Sequence, residues 1–216
     1  MKKLIKSVLP DPVFERVRRN YYQLLKVRYR FLGRPRTEGE TTTARPRRLR
    51  DGFFDKYCIG SGLDIGYGGD LLTANCRGWD FEDGDAQYLA GLESEQFDFV
   101  YSSHTLEHMV DVELSLQNWW RVAKPGGYLI VYIPHRDLYE KKKTLPSRWN
   151  ADHKHFFLPD VDDDPDTIGV RSLLDLALTG HEIEYIRECG EGCTITDPLI
   201  HSNGEYSIEF VIRKTK

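Results

Sequence analysis

The segment GLDIGYGGD, residues 62–70, limits the fold of this chain because a short apolar run ends there in a cluster of glycines. Asp64 lies within the predicted strand, and Gly66, Gly68 and Gly69 lie in the turn that follows it. Glycines in such a turn let the backbone come close to a ligand at the carboxyl edge of a sheet, where open α/β folds bind their ligands. We therefore expect an α/β sheet with a binding site beside this turn.

Apolar runs and helical patterns alternate through the rest of the chain. Runs typical of strands occur at residues 61–65, 97–102, 128–133, 182–187 and 206–212. Helical patterns occupy about residues 112–123 and 170–178. This alternation predicts a mostly parallel sheet covered by helices, and the last two runs are predicted to form an antiparallel hairpin at its edge.

Length and composition fit a single folded core. The chain has 216 residues, of which 40% are hydrophobic and 30% charged, a mixture that argues against a disordered or low-complexity protein. No stretch approaches about 18 uninterrupted apolar residues, and the basic start MKKLIKSVLP lacks the apolar region of a secretory signal. We therefore expect a cytoplasmic protein without a transmembrane segment.

The four cysteines are Cys58, Cys76, Cys189 and Cys193, and they include no CxxC pair. Cysteine zinc sites use closer spacing than this, so free thiols are predicted and no metal site is expected.

The first 50 residues differ in charge from the rest. They hold 15 Lys and Arg against 4 Asp and Glu, a net charge of +11, whereas residues 51–216 hold 15 against 30, a net charge of −15. Asp11 and Pro12 are typical of a helix start, and Gly33 is typical of a helix stop. The sequence thus predicts a basic amphipathic helix, a polar linker over residues 34–50, and a domain over residues 51–216.

The charge of this N-terminal arm, residues 1–50, leaves two roles open. The arm could pack on its own acidic domain or on the second subunit of a homodimer, or it could be drawn to an anionic substrate, a membrane surface or nucleic acid. We expect it to fold back, with its apolar stripe near the binding site and its arginines holding an anionic acceptor. The stripe consists of Phe14, Val17, Tyr21 and Leu24. Peripheral membrane contact is the competing role, because basic amphipathic helices also bind anionic lipid.

The residues of the glycine turn favour a cationic ligand over a phosphate. A dinucleotide fingerprint needs a third glycine where this chain has Leu71, and no GK[ST] follows for a phosphate loop. The Asp64 carboxylate would also repel a phosphate. S-adenosylmethionine carries an ammonium and a sulfonium and no phosphate, so it is the ligand most consistent with this turn.

Three later segments follow the order and approximate spacing of the motifs of one enzyme class. They are WDFEDGDAQYL at 79–89, FDFVYSSHTLEH at 97–108 and WWRVAKPGGYLIVYIP at 119–134. Together with the glycine turn, they make residues 52–160 resemble class I S-adenosylmethionine-dependent methyltransferases, in particular those of glycan or secondary-metabolite pathways. The resemblance implies a Rossmann-like sheet with a reversed hairpin at its carboxyl end. It also implies S-adenosyl-L-methionine as cofactor and S-adenosyl-L-homocysteine as product.

The resemblance further implies a set of cofactor-binding residues. Asp64 and the two following turn glycines match the motif for the methionine end of the cofactor. Asp80 is the candidate for the ribose hydroxyls, and Asp85 with Ala86 matches the segment beside the adenine. Tyr67 either shields the cofactor or packs on the turn. The full predicted set is Asp64, Gly66, Tyr67, Gly68, Asp80, Asp85, Ala86 and Ser102.

The spacing of two acids departs from the family pattern. The family usually separates the ribose acid from the adenine segment by a helix and a strand, yet Asp80 and Asp85 are only five residues apart. One βα unit is therefore predicted to be shortened or deleted. Either acid could be the ribose ligand, and the other would then be a turn residue.

Histidines are the candidates for catalysis, because methyl transfer to a hydroxyl needs an aligned acceptor and removal of a proton. His104 follows the strand at 97–102 and is the first choice as base. Turnover should then fall as the pH drops below the pKa of this histidine, which is about 6.5 if unperturbed. His153 and His155 share one face of an extended DHKH segment, and they are alternative bases, acceptor contacts or structural residues. The remaining interpretation is that these histidines bind a metal ion together with an acidic residue.

Hydroxyl methylation of a small molecule is the favoured function. The strand at 97–102 is followed by SSHT and not by an NPPY-like motif, which disfavours N-methylation of nucleobases or protein amides. The predicted acceptor is a sugar-like, phosphorylated or other anionic metabolite in a biosynthetic pathway, and no nucleic acid is expected. An RNA methyltransferase and a non-catalytic, cofactor-binding partner subunit are the alternatives.

Overall fold

The structure is a computed structural model that describes residues 11–215, with side chains from residue 20 onward. The helices are α1 (Asp11–Leu32), α2 (Glu40–Thr43), α3 (Arg45–Arg50), α4 (Phe53–Tyr57), α5 (Val112–Val122) and α6 (Val170–Ala177). A 3₁₀ turn spans Leu106–His108, and a π-helical turn spans Arg136–Glu140. The strands are β1 (Gly62–Ile65), β2 (Cys76–Trp79), β3 (Phe97–Ser103), β4 (Ala123–Pro134), β5 (Phe156–Leu158), β6 (Thr167–Gly169), β7 (His181–Cys189) and β8 (Ser207–Lys214).

Six strands form the main sheet in the order β2-β1-β3-β4-β8-β7. Strands β2, β1, β3 and β4 are parallel to one another. Strand β8 pairs antiparallel with both β4 and β7. This confirms the predicted Rossmann-like sheet and its antiparallel edge. Residues 80–96 form turns, without a helix or strand, and this agrees with the predicted shortening of one βα unit.

Side chains alternate across the strands, so the sheet has an apolar layer on each face. On β3, Val100 joins the layer beneath α5, where Trp119 is fully buried. Tyr101, its neighbour along the strand, joins the opposite layer beneath α4, together with Phe53. Helix α5 begins where Asp111 caps it by accepting the Leu114 backbone N–H at 2.9 Å.

The predicted linker over residues 34–50 is partly helical, and two of its arginines are buried. Arg47 and Arg48 both bind the buried carboxylate of Glu209 on β8, at 2.9 and 2.7 Å. Arg47 also lies 2.8 Å from Glu205. Burial alone would raise the pKa of Glu209, but the charges of Arg48 and Arg47 hold it well below its usual range. The loop expectation is therefore wrong for α2 and α3. The arginine pairs fix α3 to the sheet, and Asp70 holds α2 by accepting the Gly39 and Thr42 backbone N–H groups at 2.9 Å. The domain boundary at residue 50 stays a prediction.

Helix α1 contacts the domain through a different face from the one expected. Tyr22 and Tyr29 pack edge-on against Phe81, with ring centroids 5.8 and 6.1 Å away. Tyr21 and Leu24 are exposed, so neither packs on the domain, and contact of the stripe with a second subunit stays a prediction. The side chains of Phe14 and Val17 lie outside the described residues. No helix within residues 11–215 is long and apolar enough to cross a bilayer.

Candidate functional site

The carboxyl ends of β1 to β4 lie along one edge of the sheet, and the glycine turn begins there. Gly66 has φ +72°, and a Cβ at this position would clash with the Thr105 side chain. Gly68 has φ +59°, and within the described chain a Cβ there would approach nothing closer than the Gly66 carbonyl at 3.9 Å. The turn thus requires glycine for its backbone conformation and leaves open space beside Gly68.

Asp64 presents a carboxylate at the base of this turn. It is fully buried, and its Oδ2 accepts the Leu72 backbone N–H at 2.8 Å. Its Oδ1 has no hydrogen-bond partner among the described residues. Burial raises the pKa of Asp64 well above its usual value. A buried carboxylate oxygen without a partner is costly, so this side chain fits the positively charged end of a ligand.

Asp80, at the end of β2, lies next to the turn but is bound by the N-terminal arm. Its carboxylate accepts the backbone N–H groups of Gly68 at 3.0 Å and Phe81 at 2.7 Å. Arg34 lies 2.8 Å from Asp80 and 2.6 Å from Glu82. The guanidinium carbon of Arg34 is also 5.0 Å from the centre of the Phe81 ring. An arginine of the arm thus occupies the carboxylate that the sequence assigns to the ribose.

His104 follows β3 at the same edge, in a left-handed backbone conformation with φ +48°. Its Nε2 lies within hydrogen-bond distance of the Ser207 Oγ, at 2.8 Å. Aromatic rings surround the imidazole, and the Tyr132 and Tyr206 centroids are 5.6 and 5.8 Å from its own. Tyr139 is the third tyrosine of this cluster, and the centroid of its ring lies 5.1 Å from that of Tyr206.

The environment of His104 changes its acid–base behaviour. Burial lowers the pKa of His104 to about 3, and the neighbouring His153 and His108 act in the same direction. The imidazole is therefore neutral throughout the neutral pH range. The sequence-based value near 6.5 applies to an unperturbed histidine, and burial of His104 removes that condition.

A buried acid, Glu107, lies one turn beyond His104 in the 3₁₀ turn. Burial raises the pKa of Glu107 to about 8, and the Glu140 carboxylate acts in the same direction. His153 lies beside it, with Nδ1 2.9 Å from Glu140 Oε1. Residues from the segments after β3 and β4 and from the loop before β5 thus meet at the carboxyl edge of the sheet.

Comparison with known proteins identifies the enzyme class. Residues 63–131 match the model of the methyltransferase domain family, from β1 into β4. This stretch of the chain is a methyltransferase domain, which supports S-adenosylmethionine-dependent methyltransferase activity. Its cofactor is S-adenosylmethionine. No curated protein matches this sequence.

Solved structures share the fold of this methyltransferase at low sequence identity. One is the chain bound to the Trm112 methyltransferase activator of Haloferax volcanii, with a TM-score of 0.52 and 10% identity, covering 83% of this chain and 95% of that one. A second structure concerns the conversion of a disulfide bond into a thioacetal group during echinomycin biosynthesis. It has a TM-score of 0.51 and 16% identity, and the match covers 90% of this chain and 93% of that one. A protein of Pyrococcus horikoshii has a TM-score of 0.50 and 17% identity, and the match covers 86% of this chain and 97% of that one.

The remaining predicted cofactor residues of the methyltransferase make contacts within the protein. Asp85 is exposed, and its side chain accepts the Gln87 backbone N–H at 2.9 Å. The Ala86 carbonyl accepts the Trp119 indole N–H at 2.8 Å. Asp85 and Ala86 thus shape the turn after β2, and their roles toward the adenine stay predictions.

Tyr67 and Ser102 hold the ends of the central strands together. The Tyr67 ring packs over β2, 2.6 Å from where a Cβ on Gly78 would lie. Ser102 is fully buried, and its hydroxyl donates to the Ile65 carbonyl at 3.1 Å. Of the two roles open for Tyr67, this packing supports contact with the protein surface around the turn.

Two of the three predicted catalytic histidines lie close together beside Glu107. His155 lies 3.1 Å from the Met109 carbonyl, whereas His153 lies beside Glu140 and Glu107. His104 and His153 share this cluster, and His155 lies outside it. Glu107 and Glu140 are not among the predicted site residues, although Glu107 lies between two histidines in the segment HTLEH.

A surface cavity at the other edge of the sheet is separate from this site. It has a volume of about 290 Å³ and is lined by Tyr57, Asp98 and Lys124, near the amino ends of β1, β3 and β4. Because open α/β folds bind their ligands at the carboxyl edge, this cavity is not the site of methyl transfer.

We expect the Asp80→Ala variant to bind S-adenosylhomocysteine more weakly by roughly 1–3 kcal/mol, the range for losing a hydrogen bond to a charged group. Calorimetric titration measures this loss. Asp85→Ala is the matched control, because that side chain is exposed and contacts its own turn. If Asp85→Ala alone weakens binding, Asp85 and not Asp80 is the ribose ligand.

Proposed function

We propose that this methyltransferase transfers a methyl group to a hydroxyl of a small, uncharged polar molecule such as a sugar. The observation that carries the proposal is the neutral His104 imidazole, which lies at the same sheet edge as the glycine turn and is surrounded by tyrosine rings. A neutral imidazole accepts a hydrogen bond from a hydroxyl, and aromatic rings pack against the apolar faces of a sugar-like molecule.

The chain has three tasks in such a reaction, which are to orient the acceptor, to exclude water and to receive a proton. The bound cofactor supplies a methyl carbon attached to a sulfonium, a good leaving group. With the cofactor bound, an acceptor hydroxyl that displaces the sulfur to take the methyl group would become strongly acidic. His104 can then take the proton although its pKa is lowered to about 3. The tyrosine rings and the Ser207 contact hold the imidazole in place.

The charges around the site favour an uncharged acceptor over an anionic one. The carboxylates of Glu140 and Glu40 raise the pKa of Glu107, and all three acids raise the pKa of Tyr139. Two arginines of the predicted linker are already paired, because Arg34 binds Asp80 and Arg47 binds Glu205. The anionic part of the sequence-based prediction therefore has no support from these side chains.

The test is transfer of a labelled methyl group from S-adenosylmethionine to a panel of acceptors. We expect label on neutral hydroxylated molecules, with the product identified as an ether by mass spectrometry. Phosphorylated analogues of the same molecules serve as matched controls and should react more slowly. Exclusive labelling of RNA, of an amine or of a thiol would overturn the proposal.

Removal of residues 1–33 tests the role of the arm. We expect the shortened protein to keep most of its cofactor affinity and to lose turnover on a soluble acceptor, because the α1 contacts with Phe81 lie next to Asp80 and the glycine turn. Removal of residues 1–50 is unsuitable, since it would take Arg47 and Arg48 from the buried Glu209. Unchanged turnover together with lost binding to anionic vesicles would instead support a membrane role.

A further inference from the structure

Glu107 is a buried acid that the reaction described above does not use. Its side chain is 1% exposed, and neither of its carboxylate oxygens has a hydrogen-bond partner within the part of the chain that the structure describes. Leaving both oxygens unpaired in the protein interior is costly, so a residue in this state calls for a partner.

Two histidines point one ring nitrogen each at the same oxygen of Glu107. The Nε2 atoms of His108 and His153 lie 3.7 and 3.8 Å from Oε1. These distances are too long for hydrogen bonds. They are close to the separation of roughly 3.3–3.5 Å between two ligands of a tetrahedral ion with bonds of about 2.0–2.2 Å.

The other ring nitrogen of each histidine already has an oxygen partner. His153 Nδ1 lies 2.9 Å from Glu140 Oε1, and His108 Nδ1 lies 3.2 Å from the Asp152 carbonyl. Metal-binding histidines nearly always use their second nitrogen in this way, because the contact fixes the ring and directs the first nitrogen to the ion. The arrangement therefore has both the ligand atoms and the outer contacts of a metal site.

We propose that Glu107, His108 and His153 bind a first-row divalent metal ion such as Zn²⁺. Their ligand atoms all lie within 4.8 Å of one another. Two imidazoles and one carboxylate suit such an ion better than Mg²⁺, which prefers oxygen ligands. The cysteine spacing predicts no metal, and this site contains no cysteine.

The site lies beside the candidate base, since His104 Nδ1 is 3.9 Å from Glu107 Oε1. If the proposed function is correct, the ion would be placed to bind the acceptor oxygen, and a metal-bound hydroxyl loses its proton more readily. This role rests on the proposed function, whereas the metal site itself does not.

The first experiment uses the full-length wild-type protein, freed of metal by a chelator and titrated calorimetrically with Zn²⁺ and, separately, with Mg²⁺. We expect one Zn²⁺ per chain and far weaker binding of Mg²⁺. X-ray absorption of the Zn²⁺ complex should show nitrogen and oxygen ligands, including two imidazoles, and no sulfur. Absence of Zn²⁺ binding, or a spectrum dominated by sulfur, would overturn the proposal without any variant.

Substitutions then locate the ion. Glu107→Gln and His108→Ala should weaken Zn²⁺ binding by more than the roughly 10–100-fold expected for Glu140→Gln, which removes an outer partner. His155→Ala is the matched control, because this histidine binds the Met109 carbonyl outside the cluster, and it should leave Zn²⁺ affinity unchanged. Unaltered affinity in Glu107→Gln would refute the site. If that variant does not fold, the wild-type stoichiometry and spectrum decide.

The two proposals fail in different ways. Zn²⁺ titration is done without acceptor, so a wrong acceptor class leaves its result intact. If Zn²⁺ binds but the chelator-treated enzyme keeps full turnover, the site stands and its catalytic role is refuted.

Discussion

The Glu209→Ala variant is expected to lower the free energy of unfolding by about 3–5 kcal/mol, the usual cost of breaking a buried ion pair from one side. Glu209 is fully buried and lies 2.9, 2.7 and 2.8 Å from Arg47, Arg48 and Arg187. Its removal leaves the fully buried Arg48 with an uncompensated charge. Urea unfolding followed by circular dichroism measures the change. Glu209→Gln should also destabilise, because the amide keeps the shape and removes the charge.

The control for this prediction is an ion pair at the surface. Asp160 lies 2.7 Å from Arg171, and both side chains are at least half exposed, so Asp160→Ala should barely move the unfolding midpoint. Equal effects of Asp160→Ala and Glu209→Ala would contradict the buried network as a main source of stability.

Acid should remove the same contribution from the wild-type protein. The folded pKa of Glu209 lies below its ordinary value of 4.5. Its stabilising effect is therefore complete above about pH 4.5 and is lost as the pH falls toward the folded pKa. Glu209→Ala lacks this contribution, so the stability difference between the two proteins should shrink below pH 4.5.

Local sequence predicts the sheet well, because the spacing of apolar residues and the residue types of a turn depend on only a few neighbouring positions. The apolar run at 97–102 became β3, the helical pattern at 112–123 became α5, and the close spacing of Asp80 and Asp85 indicated the missing βα unit. The conformation of the glycine turn was predictable for the same reason, since φ values of +72° and +59° are local requirements.

Contacts between residues far apart in the chain account for the structural features that the sequence did not predict. The stretch RPRRLR looks like a solvated linker, yet Arg48 pairs with Glu209, which lies 161 residues further along the chain. No pattern in the sequence near either residue indicates this pairing. The same holds for Glu107 and Glu140, which come together through the ends of β3 and β4. Tyr21 and Leu24 follow a helical stripe, but the position of Phe81 decides which face of α1 is covered.

The His104→Ala variant is expected to lower turnover by about 10²–10⁴-fold, the usual contribution of a positioned base. The affinity for S-adenosylhomocysteine should stay nearly unchanged, since the imidazole faces Ser207 and the tyrosine rings and not the glycine turn. Steady-state kinetics with saturating cofactor, together with calorimetry, separate these two effects.

Ser207→Ala provides the graded comparison, because it keeps the imidazole and removes the hydroxyl 2.8 Å from its Nε2. Loss of orientation alone should cost less turnover than loss of the ring. If His104→Ala keeps full activity while His153→Ala or His155→Ala loses it, the proton acceptor lies in the DHKH segment. If none of the three substitutions lowers turnover, alignment of the acceptor carries the reaction without a histidine base.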